Sequence, residues 1–87
     1  MMKYEVRSPE DALVYMIDCT LATIQSMAMR KSKSRSEYKR QISIAQTGID
    51  WARGMNIGFN GTRIAGVVNE CGGNVAAWAQ LYEPIDA

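Results

Sequence analysis

Apolar residues recur at three- and four-residue spacing along two long segments of this chain. In the first segment Val14, Ile17, Leu21, Ile24 and Ala28 form one stripe, flanked by Leu13, Thr20 and Met27. That period is one face of an α-helix, because 3.6 residues per turn return positions i, i+3, i+4 and i+7 to the same side. Ser8-Pro9-Glu10-Asp11 marks its start. A serine hydroxyl accepts an orphan backbone N–H, proline loses nothing at the first helical position, and carboxylates favour the positive end of the helix dipole. The pattern predicts a helix over about 9–29, roughly 30 Å long at 1.5 Å per residue. Asp18, Ala22 and Gln25 fall on its opposite side. Tyr15 and Cys19, one turn apart and off the main stripe, read as a flank covered by the C-terminal helices.

The second segment carries two stripes, Tyr38, Ile42, Ala45, Ile49 and Ala52 on one side and Ile44, Gly48, Trp51 and Met55 on another. They predict a helix over about 35–53 that meets the first helix on one side and the C-terminal part on the other. Ser34-Arg35-Ser36-Glu37 fits a capping box, with Glu37 reaching back towards Ser34. Gly48 predicts a close helix crossing, and Gly54 stands where a left-handed residue would end the helix. Thr62, with Ile64, Val67, Val68 and Cys71 behind it, predicts a short helix over about 62–71 ended by Gly72-Gly73. Asn74 caps another over about 74–82, with Val75, Trp78, Leu81 and Tyr82 apolar and Pro84 as its stop. Residues 55–61 read as a loop, since the strands of an Asn60-Gly61 hairpin would be short and contain glycine. Residues 1–7 alternate weakly and read as an extended arm or a short strand. The expected fold is all-α, a single helical domain over 1–87. A long antiparallel hairpin is closed by a short one, with Trp51 and Trp78 serving a small core.

Charge changes this picture. Six of the ten basic residues, Arg30, Lys31, Lys33, Arg35, Lys39 and Arg40, lie between positions 30 and 40 beside a single acid, Glu37. The stretch carries +5 and the rest of the chain −4, so the net charge of +1 conceals a strong dipole. It falls between the two long helices, at the tip of their hairpin. A solvated tip keeping a small apolar protein soluble is one reading. A salt-dependent contact with a phosphate backbone is a second. An acidic patch on a protein partner, met at a raised association rate, is the third.

The remaining chemistry is sparse. There is no histidine among the 87 residues, which removes the commonest general base and the usual partner of a catalytic serine or cysteine. The glycines match no phosphate-cradling motif, and Asp18, Asp50 and Glu70 sit on three separate segments, so no cofactor, metal or catalysis is expected. Cys19 and Cys71 have neither CxxC spacing nor histidine partners and read as free thiols in a reducing compartment. Six methionines read mainly as core filling. No apolar run resembles a signal peptide or a membrane span, and Asn60-Gly61-Thr62 reads as a turn, so a cytoplasmic protein is expected.

Residues 67–81 have an apolar spacing similar to the helix-turn-helix of small repressors, with Gly72 at the turn and Trp78 and Leu81 inward. The would-be recognition helix from Asn74 to Tyr82 has no Arg or Lys, and Glu70 and Glu83 would face phosphate. An ordinary core-closing hairpin is therefore the expectation. Function is expected to be that of a non-enzymatic interaction module. Small phage and mobile-element inhibitors, anti-CRISPR proteins included, are the kind of protein this describes. The partner would be a protein or nucleoprotein complex with an acidic surface, met through Arg30, Lys31, Lys33, Arg35, Lys39 and Arg40. A nucleic-acid-binding accessory factor is the alternative. Two apolar stripes and two tryptophans exceed what a small monomer hides, so a homodimer is also expected.

Overall fold

The structure, a computed structural model, describes residues 7–58 and 62–85. Among them it is all-helical, with α1 over Pro9–Ala28, α2 over Arg35–Gly54, α3 over Arg63–Cys71 and α4 over Val75–Gln80. The long α1–α2 hairpin is closed on one side by the short α3–α4 hairpin, which packs on both long helices. The predicted arm over residues 1–6 and the Asn60-Gly61 turn lie outside the described residues. No helix among the described residues is long and apolar enough to cross a membrane.

Helix ends follow local chemistry in most places. The Ser8 hydroxyl accepts the Asp11 N–H at 3.2 Å and the Asn74 carboxamide accepts the Ala77 N–H at 3.1 Å. The Ser34 hydroxyl accepts the Glu37 N–H at 3.4 Å, but the Glu37 carboxylate turns forward to Arg40 and Gln41 rather than closing a capping box. Gly72 and Gly73, at φ 62° and 87°, take the left-handed conformations that turn α3 into α4. Gly54 does not end α2 that way. Asn56, at φ 59°, adopts the left-handed position instead, a role its short polar side chain tolerates.

The core draws on all four helices: Ile17, Leu21, Ile24 and Ala28 from α1, Tyr38, Ala45, Ile49 and Ala52 from α2, Ile64 and Val67 from α3, and Val75, Trp78 and Ala79 from α4. Gly48 sets the crossing of the long helices. A Cβ there would stand 2.8 Å from Ile17 Cγ1, closer than two carbons approach, so the missing side chain is what lets the backbones meet.

Two polar clasps tie the short hairpin to the long one. Asp18, expected on the open side of α1, is only 3% exposed. Its Oδ1 accepts the Arg63 backbone N–H at 2.8 Å, and its Oδ2 accepts from the Arg63 guanidinium at 3.2 Å. On α2, the Gln46 amide donates to Gly73 O at 2.8 Å while its oxygen accepts the Val75 N–H at 2.8 Å.

Several sequence expectations fail on the far side of the hairpin. Trp51 is 63% exposed and Met16 65%, with Ile44 and Met55 also exposed. Tyr15 and Cys19 are exposed rather than covered, and Leu81 points outward. Met29 is exposed too, so among the described methionines Met27 alone packs against the core. The cause is geometric: among the described residues, helices of nine and six residues cover one side of a 20-residue hairpin and none covers the other.

Candidate interaction surface at the basic end

Ser8-Pro9 starts α1 and Ser34 starts α2, so the intervening turn at residues 29–34 sits at one end of a molecule 44 Å long. That turn sets Arg30, Lys31 and Lys33 beside the first turns of α2, which carry Arg35, Lys39 and Arg40. All six predicted site residues thus converge, five of them exposed and Lys33 half-buried. Two are engaged locally. Lys33 Nζ donates to Arg30 O at 2.6 Å and lies 5.5 Å from the centre of the Tyr38 ring, a cation–π geometry. Arg40 pairs with Glu37 at 3.0 Å. The Gln41 amide and then the Arg40 guanidinium hold the Glu37 carboxyl below its ordinary range. Arg30, Lys31, Arg35 and Lys39 have no ion-pair partner among the described residues.

The segment after α4 returns to this end. Glu83 and Pro84 border a small polar recess of about 170 Å³ with Lys31, Lys33 and Arg35. Glu83 also borders a groove of about 430 Å³ between α2 and α4, lined by Arg35, Tyr38, Lys39, Ile42, Ser43, Ala76 and Gln80. Tyr38 is 6% exposed, and its buried hydroxyl makes no hydrogen bond of full geometry among the described residues. Burial first, and the nearby Glu83 carboxylate second, push this phenol up to about 12.

Sequence reasoning found the cations and missed the groove. The sequence shows Tyr38 as a stripe residue and as the one aromatic beside the cations, and Glu83 as an acid, but not the two facing each other. The stop at Pro84 was legible, but periodicity does not say to which end of the long hairpin the chain returns. Elsewhere, Tyr15 has its phenol raised by a hydrogen bond to Cys19, and both cysteines are free. Among the described residues no group of three or more metal-ligating side chains comes together. α4, the would-be recognition helix, uses Val75, Trp78 and Ala79 for the core and turns Ala76 and Gln80 outward, so it offers no cation to a phosphate. No protein-family model, curated protein or solved structure matches the chain.

Proposed function

We propose that the protein is a non-enzymatic interaction module that docks its basic end on an acidic surface of a larger protein assembly, as small phage-type inhibitors and regulators do. The observation that carries this reading is the set of four exposed cations without ion-pair partners, Arg30, Lys31, Arg35 and Lys39, gathered at one end of the hairpin. Such a cluster raises the association rate with an oppositely charged partner and loses strength as salt rises. Two features favour a protein over a nucleic acid. Tyr38, the aromatic side chain set among these cations, is buried and cannot stack on a base. Glu83 lies among the same cations and would face phosphate. The bare α1–α2 face, with Met16, Trp51 and Met55 around an apolar groove of about 530 Å³, supports a homodimer that presents two basic ends.

Fluorescence anisotropy with a labelled polyglutamate peptide, duplex DNA and single-stranded DNA, each at two salt concentrations, tests the reading. Peptide binding that weakens with salt and exceeds DNA binding supports it. DNA binding of micromolar strength or better that collapses with salt, with no binding of the peptide, replaces it by the nucleic-acid alternative.

A further inference from the structure

We infer that the groove between α2 and α4 is a pocket for an acidic side chain of the protein partner, and that Glu83 occupies its place in the unbound molecule. This rests on the reading of the basic end as a surface for an acidic protein and names the residues that would read that acid.

Charge complementarity selects the occupant. Arg35 and Lys39 stand on the groove wall as uncommitted cations, and Gln80 and Ser43 add polar groups. Ile42 and Ala76 supply apolar surface suited to the methylenes of a glutamate and to an apolar neighbour. The Tyr38 hydroxyl is the independent sign of an incoming acceptor. It belongs to a side chain more than nine-tenths buried that lines the groove, and it makes no hydrogen bond of full geometry among the described residues, although the Glu83 carboxylate stands close enough to hold its proton. A buried donor left unmade is costly, and native structures satisfy almost all of them.

Glu83 is the acid already present. It borders both the groove and the adjoining recess, within reach of the field of Lys31, Lys33 and Arg35. It lies three residues beyond the end of α4, in a segment without regular structure that Pro84 keeps from being helical. Its side chain can therefore leave without unwinding a helix. A partner carboxylate entering the groove takes over the same cations and accepts from Tyr38.

The test is anisotropy with a labelled peptide alternating glutamate and leucine, against the folded full chain. Removing the internal competitor in Glu83→Gln should tighten binding about threefold to tenfold. Tyr38→Phe should weaken it about threefold or more by deleting the donor. Glu70→Gln, an acid removed from α3, controls for net charge, and the gain in Glu83→Gln must exceed it. Ultraviolet titration of tyrosine should show the Tyr38 phenol ionising at lower pH in Glu83→Gln, establishing that the two groups face each other. The inference is overturned if Glu83→Gln gains no more than Glu70→Gln, or if Tyr38→Phe binds as the parent does. Should Arg30→Ser with Lys31→Ser still weaken binding in that event, the basic end stands and the groove alone falls. A parent chain that does not bind the peptide overturns both.

Discussion

The Asp18 carboxylate, halfway along α1, caps the first N–H of α3 at Arg63 from 45 positions away, at 2.8 Å. Thr62, at the N-cap position of α3, makes no side-chain cap bond, so a remote acid does the work of a local one. Asp18→Ala should therefore lower unfolding free energy by about 2–4 kcal/mol, since it strips a buried acceptor from a backbone donor and from a guanidinium. Arg63→Ala should cost less, about 1 kcal/mol, because its side chain is 40% exposed and the backbone bond survives. Urea unfolding of both variants checks the order; an equal or reversed ranking would mean the cap is not what holds α3.

Gly48→Ala sets helix propensity against packing. Alanine is the better helix former by roughly 1 kcal/mol. The new methyl would meet Ile17 Cγ1 at 2.8 Å, at the root of a buried branched side chain that cannot swing aside. The clash should win, leaving a net loss of about 1–2 kcal/mol. Pairing it with Ile17→Ala should relieve the clash, so the double variant should be more stable than the sum of the single losses requires.

Changing Arg30, Lys31, Arg35 and Lys39 together to Ser should leave the melting temperature nearly unchanged. Exposed side chains without partners shift stability by under about 0.5 kcal/mol each, and their removal relieves like-charge repulsion. Binding to an acidic partner should slow in the association phase of surface plasmon resonance, and the deficit should shrink as salt rises. Full retention at low salt would reduce the basic end to an aid to solubility.

High pH should destabilise the protein through Tyr38. Its phenol ordinarily ionises near 10 and is pushed up to about 12 in the fold, so the folded state holds the proton more tightly than the unfolded one. The stabilisation is complete below about pH 10 and is lost as pH climbs through 12, by roughly 3 kcal/mol in all. Tyr38→Phe should flatten that part of the profile in denaturant titrations from pH 9 to 12.

Trp51 gives the assembly prediction a handle. Light scattering of the parent chain should give twice the 9.7 kDa chain mass at high micromolar concentration, and Trp51→Lys should return it to monomer with helicity intact. A parent chain that stays at 9.7 kDa removes the homodimer.

The sequence was most legible where one residue and its near neighbours decide the outcome. Ser8, Asn74 and Gly72 announce their helix ends, and Ile17, Leu21, Ile24, Ala45 and Ile49 announce the core. Legibility ended where a face needs a distant partner. Periodicity assigned Trp51 and Ile44 to an apolar stripe but could not say that the short hairpin would leave that stripe bare. It assigned Asp18 to the open side of α1 because it cannot foresee a backbone donor arriving from residue 63. At the basic end the six cations were visible as a run of charge. The groove was not, since it exists only because Glu83 and α4 return to the turn between α1 and α2.

The remote caps also order events in time. A nine-residue and a six-residue helix are too short to persist in water without docking. Asp18 and Gln46, which hold their first N–H groups, lie on helices built from nearer neighbours. The long hairpin can thus assemble early, in a transition state dominated by short loops, while α3 and α4 condense onto it afterwards. On the ribosome the same logic leaves Leu21, Ile24 and Ile49 uncovered until the last two helices have emerged, an interval in which a chaperone would find this chain most adhesive.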